Sequence, residues 1–399
     1  MKKSCLISIF IAGLVLITTG CGGGGVTPPI PNLPEWTVMV YLDADNNLES
    51  AGIDDINEME MVGSTSDVNI VVQVDRIPGY DTSNNNWTNT RRYYITQDLD
   101  PYVINSQLID DLSEQNMGST QTLINFADWA VNNYPAQKYL LVIWNHGGGF
   151  RSTGLTKDIA WDDTNNSDKI TMPELEYALS AISTIMGKNI DIVGMDACFM
   201  AMTEVAYQIK DHADILVTSE ESEPNDGWPY DTILGELTAS PTMSSGQLAI
   251  DIVEKYIYSF PFDDVTQSAI DLSYMDTLAD QLSAMALSIM FDTLTPTINY
   301  INASNSSQYY GDWDFIDLYD FCNKVLTYSY NVQVKSIALS IQQTLVSSVV
   351  INSNFDGWSV SGSKGLSIYF PYIAYDNYYN NTNFAQDTKW DEMLSYLGL

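Results

Sequence analysis

The chain has 399 residues, 45 % of them apolar, enough to bury a sizeable core. Asp and Glu number 51 against 16 Lys and Arg, a formal net charge of −35. Such a charge repels nucleic-acid phosphates and anionic lipid head groups, so neither is expected as a partner of the folded body.

The first residues read as an export signal. Lys2 and Lys3 precede a nearly unbroken apolar run, Leu6 to Ile17, too short to span a bilayer, and Thr18, Thr19, Gly20 and Cys21 follow. Residues 1–20 are therefore expected to be removed. The ending resembles a bacterial lipobox, with Thr18 where leucine is usual, which implies acylation of Cys21. Gly22 to Gly25 and then Pro28, Pro29, Pro31 and Pro34 make residues 21–35 a tether, flexible and then stiffer. Residues 36–399 are expected to form one domain, exported, held at the cell envelope, and touching a membrane through the lipid only.

Along that body the pattern alternates. Trp36 to Leu42 is rich in β-branched and aromatic residues and predicts a strand; Asp43 to Asn47 breaks it, and helical spacing runs to Met61. Val68 to Val74 predicts a second strand and Arg91 to Ile95 a third, at a sheet edge. Thr120 to Tyr134 has helical spacing. Tyr139 to Trp144 is a continuous apolar run, as expected of a strand covered on both faces. A helix over Pro173 to Met186, a strand over Ile190 to Gly194, a helix over Phe199 to Lys210 and a strand over Asp214 to Thr218 follow. Beyond about residue 240 the pattern reads as mostly helical, with a late strand at Gly365 to Phe370 and a surface loop at Tyr375 to Asn383. Alternation of this kind predicts an α/β fold with a mostly parallel sheet between helices.

In such sheets ligands bind at the carboxyl ends of the strands. One buried strand runs into Asn145-His146-Gly147-Gly148-Gly149 and another into Met195-Asp196-Ala197-Cys198. A thiol needs a base to form thiolate near neutral pH, and imidazole has a suitable pKa. Glycines after the histidine let backbone N–H groups approach a substrate. A helix starting at the cysteine would also favour the thiolate. The other histidine, His212, falls at a helix end and reads as a surface cap. Of the four cysteines, Cys5 is expected to leave with the signal and Cys21 to carry the lipid, unless the signal is an ordinary cleaved one and Cys21 incidental, so only Cys198 and Cys322 remain in the body; Cys322, in an apolar stretch, reads as a core thiol.

The segments Trp36 to Glu49, Trp144 to Gly149, Asp196-Ala197-Cys198, Ser219 to Pro224 with Gly227-Trp228, and Asp317 to Asp320 are similar, in order, to the clostripain family of bacterial cysteine peptidases. The resemblance implies a caspase-like fold, protein or peptide substrates, Cys198 as nucleophile, His146 as base, and an oxyanion hole from the N–H groups of Gly147 and Cys198. It also implies cleavage after Arg or Lys, which needs a carboxylate at the base of the specificity pocket. Asp196 matches one family position; Asp226 is the candidate for a second, with Glu223 able to do the same work. Trp228 either walls that pocket or belongs to the core. Family members can be nicked between the histidine and the cysteine, where Arg151, Lys157, Lys169 and Lys188 lie.

No cofactor is required by this chemistry, and calcium activation occurs among similar enzymes. Asp163, Asn165 and Glu174 fall at EF-hand positions, but Asp168 replaces the glycine of the sharp turn, and Thr171-Met172-Pro173-Glu174 is also a helix capping box. Asp43 to Asn47 either binds calcium or ends a strand and caps a helix. The competing expectation for the whole chain is a surface lipoprotein that keeps the fold as a binding module; a Cys198–Cys322 disulfide would favour it.

Overall fold

A computed structural model describes residues 33–151 and 158–399; the signal segment, Cys21, most of the tether and Lys157 lie outside the described residues. The main sheet has nine strands. Its centre is parallel: β9 (Ala213–Thr218), β8 (Ile190–Asp196), β5 (Lys138–Trp144), β1 (Trp36–Ala44) and β2 (Val68–Arg76) lie side by side in that order. Antiparallel strands extend both sides, β3 (Arg91–Tyr94) and β4 (Gln107–Asp111) beyond β2, and β10 (Val265–Asp271) and β12 (Val350–Asp356) beyond β9. Two short ribbons stand apart: β6 (Ile159–Asp162) with β7 (Asp168–Ile170), and β11 (Phe315–Asp317) with β13 (Ser367–Tyr369).

Alternate residues of the central strands feed two cores. Val38, Val40, Leu140, Val142 and Trp144 face a layer made by α1 (Glu49–Val62), α5 (Tyr230–Ala239) and α6 (Ser245–Ser259). Met39, Tyr41, Leu141 and Ile143 face the larger layer. That layer comprises α2 (Thr120–Asn133), α3 (Met172–Met186), α4 (Thr203–Ile209), α7 (Met275–Met290), α8 (Thr297–Asn305), α9 (Leu318–Tyr328), α10 (Val332–Thr344), α11 (Asn383–Asp387) and α12 (Trp390–Leu397). Burial on both faces is why the central strands are unbroken apolar runs.

Several expectations are corrected. Arg91 to Tyr94 is not the edge: β4 pairs outside it, hidden in the sequence because an exposed edge strand carries polar residues, here Gln107-Leu-Ile-Asp-Asp. The region after residue 240 adds β10 and β12 to the main sheet; the polar Asn352, Ser353 and Asn354 mask β12 for the same reason. Helix α4 begins at Thr203, not at Phe199, so Cys198 does not start a helix. The segment Tyr375 to Asn383 is not simply a surface loop, since Tyr379 is fully buried against Phe150 and Tyr369. Phe315 to Asp317 adds a further short strand in this region, and Asp317 caps α9 by accepting from the Asp320 N–H at 2.6 Å. No helix among the described residues is long and apolar enough to cross a membrane.

Glu204, in α4, is a buried acid beside the loop that carries Cys198. One of its oxygens accepts from the Tyr369 N–H and the Tyr379 hydroxyl, each at 3.0 Å, and burial pushes its pKa from 4.5 up to about 7. The folded chain thus keeps a proton that the unfolded chain loses first, so stability falls as pH rises between those two values and the loss is complete above the folded pKa. Glu204→Gln is expected to flatten urea-unfolding stability between pH ~5 and ~8 by up to roughly 3 kcal/mol relative to wild type; an unchanged slope would place the titration elsewhere.

Candidate active site

The position of the site follows from strand register. Trp144 pairs with Asp196 in the parallel β5–β8 ladder. Two residues further along each strand stand His146 and Cys198, which therefore leave the same sheet edge at the same level. Both line one small cavity of about 40 Å³, together with Asp196, Glu223, Pro224 and Asn225. That volume admits little more than a water molecule.

The loops are held close by what glycine lacks. A Cβ on Gly147 would come within 2.3 Å of the Cys198 carbonyl oxygen and 3.0 Å of its nitrogen, so the two backbones touch only because that residue has no side chain. The backbone turns sharply after the thiol, with Phe199 at φ 62°, a left-handed conformation uncommon for a bulky residue. It is fixed by the Phe199 N–H donating to the Glu221 carbonyl at 3.2 Å and the Ala201 N–H to the Ser219 carbonyl at 2.8 Å.

The Cys198 thiol is half-buried and unbridged, and Cys322 is a free thiol in the core; the disulfide that would favour a binding module is not formed. Burial pushes the Cys198 thiol pKa up, opposed by the Glu223 N–H, which donates to Sγ at 3.2 Å, and reinforced by the Glu221 carboxylate. With α4 starting five residues later, no helix dipole acts on the sulfur, so a base must remove its proton. His146 is the imidazole in this cavity. Its Nε2 lies 2.9 Å from Asn47 Oδ1, and Asn145 Oδ1 accepts from its backbone N–H. Asn145 in turn donates through Nδ2 to the carbonyls of Asp43 at 2.9 Å and Trp161 at 3.1 Å.

Below the thiol, Asp196 is buried and accepts from the Tyr230 hydroxyl at 2.9 Å and the Trp228 N–H at 3.2 Å. Burial raises the Asp196 pKa, offset by hydrogen bonds from Glu223, Tyr230 and Trp228; burial and then Asp196 push Glu223 well above the carboxylate range. Two acidic side chains, Asp196 and Glu223, thus line the cavity side by side. Trp228 is fully buried beneath it: a Cβ on Gly194 would meet the indole at 2.7 Å. Asp226 is exposed and lines a separate hollow with Asp263 and Asp264.

Residue-type reading missed three neighbours. Asn47, in the strand-ending Asp43–Asn47 run, reaches His146. Asp55 and Glu58 of α1 stand beside the Asp196 cluster, Glu58 accepting from the Tyr230 N–H at 2.9 Å with its pKa pushed up to about 7 by burial. The signal for Asp55 was a charged residue among the apolar positions Ile53, Ile56 and Met59 of a buried helix face.

The calcium candidates from the sequence do not converge. Glu174 is taken up by the cap of α3, accepting from Thr171 N at 3.0 Å and Oγ1 at 2.6 Å, and Asp163 accepts from the Trp161 indole at 2.7 Å. Asn165 donates to Asp162 and Glu114. The carboxylates that do gather are Asp45, Asp75, Glu114 and Asp162, whose oxygens lie within 4.8 Å of one another. Of the proposed nick sites, Arg151 is clamped by Asp312 and Asp314, Lys169 lies in β7, and Lys188 pairs with Asp191 at 2.6 Å.

A thiol and an imidazole at adjacent strand ends of a caspase-like sheet, beside buried acidic side chains, define the class: a cysteine peptidase. The model of the clostripain family matches residues 40–397, and the chain belongs to that family. It is 27 % identical over 413 residues to clostripain of Hathewaya histolytica, covering 87 % of this chain and 77 % of that protein. The fold is similar to a secreted cysteine protease from Bacteroides thetaiotaomicron in complex with an irreversible peptide inhibitor, with TM-score 0.67 and 22 % identity over 91 % of this chain and 99 % of that one. It is also similar to an inactive zymogen protease from Parabacteroides distasonis, with TM-score 0.66 and 20 % identity over 92 % and 99 %.

Asn47 touches the His146 ring, so its removal should loosen the imidazole. Asn47→Ala is expected to lower kcat roughly 10–100-fold with little change in KM. Asn47→Asp should restore part of the rate and move the acid limb of the pH–rate profile to higher pH, because a carboxylate favours the imidazolium. Equal profiles in all three proteins would remove Asn47 from the account.

Proposed function

We propose that the chain is an endopeptidase that cleaves after Arg or Lys, with Cys198 as nucleophile and His146 as general base. The observation that carries this reading is the shared cavity: one thiol, one imidazole and the carboxyl groups of Asp196 and Glu223 line it together. His146 takes the thiol proton, and the thiolate attacks the peptide carbonyl carbon. The carbonyl oxygen becomes an oxyanion between the N–H groups of Gly147 and Cys198. His146 then gives its proton to the leaving amine, which departs as the C–N bond breaks. Water, deprotonated by the same imidazole, hydrolyses the thioester.

The Asp196 and Glu223 carboxyl groups offer the oxygen acceptors that a guanidinium or ammonium group needs. A long cationic side chain does not fit in about 40 Å³, so in this reading the Glu223–Asn225 segment swings outward as substrate enters. Trp228 backs Asp196 from below, and Asp226 stays outside the pocket. Export and acylation at Cys21 complete the proposal, leaving the catalytic body tethered at the cell envelope by residues 21–35.

The test is a panel of chromogenic peptides ending in Arg, Lys, Asn or Asp. Cleavage after Arg and Lys is expected, with Cys198→Ala lowering kcat/KM by at least about 10⁴-fold and Asp196→Asn lowering it roughly 10–100-fold on the cationic peptides. Cleavage after Asn or Asp alone would overturn the acidic pocket. No cleavage by wild type, with Cys198→Ala indistinguishable from it, would overturn the peptidase mechanism.

A further inference from the structure

Beside the catalytic cavity lies a second, far roomier hollow, of about 680 Å³ against about 40 Å³. The two meet at the turn after the nucleophile. Glu221 lines the larger hollow, and its carbonyl accepts from the Phe199 N–H at 3.2 Å. Its carboxylate oxygens accept from the Gly311 N–H at 3.0 and 3.1 Å. A Cβ on Gly311 would meet the Phe199 ring at 3.0 Å, so this wall lies directly against the residue that follows Cys198. One residue step and one phenyl ring put the near wall on the order of 10 Å from the thiol, about three extended residues.

Three aromatic side chains line this hollow in solvent: Tyr309, Trp313 and Trp358, which are 50 %, 55 % and 90 % exposed. The Tyr309 and Trp313 rings lie 5.5 Å apart, and Tyr372 extends the row 5.3 Å beyond Trp313. Exposed rings grouped on one hollow mark a contact surface. The polar side chains of the same hollow are already engaged. Gln308 donates to the carbonyls of Tyr309 at 2.6 Å and Ser359 at 2.8 Å, and accepts from the Gly362 N–H at 3.0 Å. Asp320 accepts from the Gln308 N–H at 2.8 Å and pairs with Lys324 at 3.4 Å. Ser306 and Ser307 donate back into α8. A sugar would find few free hydrogen-bonding groups here, whereas a flat apolar ring finds aromatic faces. The same bonds set the walls before any ligand arrives: Gln308 joins the Trp358 loop to Tyr309, and the Ser359 N–H donates to Asp264 at 3.0 Å.

We propose that this hollow is an extended substrate subsite, which holds an aromatic side chain of the peptide against Tyr309, Trp313 and Trp358, about three residues from the bond being cleaved. Continuity through Glu221 and Phe199 selects the occupant: a peptide whose reacting carbonyl sits at Cys198 needs only to run on past Phe199 to reach the rings. Binding energy gained there, away from the reacting bond, helps to hold the carbonyl in place at the thiolate and so raises kcat/KM. The selectivity this gives is separate from that of the Asp196 pocket, which receives the residue at the cleaved bond. The assignment rests on the peptidase mechanism proposed for Cys198 and His146.

The experiment uses the full-length protein and internally quenched peptides with a single Arg or Lys, in which Trp replaces Gly at successive positions on either side of it. Wild type is expected to favour Trp over Gly by about tenfold in kcat/KM at one position, on one side only. Trp313→Ala with Trp358→Ala should bring that ratio to within about twofold of unity. Its Tm should stay within about 2 °C of wild type because both rings are exposed, which separates a lost subsite from a damaged fold. A second arm needs no turnover: calorimetry of the same peptides on Cys198→Ala protein should show the Trp peptide binding about tenfold tighter than the Gly peptide, a gain lost when the two tryptophans are also replaced. That arm decides the subsite even if no peptide is cleaved, so its failure and the failure of the peptidase mechanism are told apart. A Trp preference that survives the double substitution, or the lack of any such preference in both arms, would overturn the proposal. So would binding of a neutral oligosaccharide, maltoheptaose, that is lost with the two tryptophans while peptides show no Trp preference.

Discussion

The in-register pairing of β5 with β8 is the constraint on which the site depends. Parallel strands cannot be joined by a short turn, so His146 and Cys198 are far apart in sequence and become neighbours only through the ladder that sets Trp144 opposite Asp196. A slip of one residue would turn the alternating side chains of β5 to the opposite layer and separate the two groups. Register is secured by burial on both faces: Leu140, Val142 and Trp144 enter one core while Leu141 and Ile143 enter the other. The hydrophobic effect, acting on residues with no chemistry of their own, therefore sets the distance between imidazole and thiol.

Close approach at the end of those strands rests on Gly147, which lies against the Cys198 backbone, and on the left-handed turn at Phe199. Beneath it, burial replaces counter-ions. The Asp196 carboxylate is held by hydrogen bonds from Tyr230 and Trp228, and burial raises both its pKa and that of Glu223. The acidity of the chain is thus not only a solvated outer face. Part of it is gathered at the carboxyl edge of the sheet, where Asp43, Asp45, Asp75, Asp162 and Asp196 are all buried.

What the sequence made legible follows the same physics. The central strands were readable because burial on two faces demands unbroken apolar runs, and the strand ends then pointed to His146, Cys198 and Asp196. The outer strands β4 and β12 were not readable, because solvent on one side permits Gln107, Asp110, Asn352 and Asn354 in an extended chain. The start of α4 was misplaced because Phe199 to Met202 has helical composition but is pulled into a loop by its contacts with Ser219 and Glu221. Asp75 and Glu114 could not be joined to Asp45 by spacing, since only the sheet brings β2 beside β1. Spacing alone drew attention instead to Asp163, Asn165 and Glu174, which the capping of α3 pulls apart.

The central claim, that His146 activates Cys198 beside an acidic pocket, is tested most directly by covalent labelling. A short peptide ending in lysine and carrying a halomethyl ketone is incubated with the protein, and the adduct is located by peptide mass mapping. The account predicts a single adduct on Cys198, formed at a rate that falls at least about 10²-fold in His146→Ala and that is suppressed when the lysine is replaced by glutamate. An adduct on Cys322, or labelling of Cys198 at the same rate with and without His146, would contradict it.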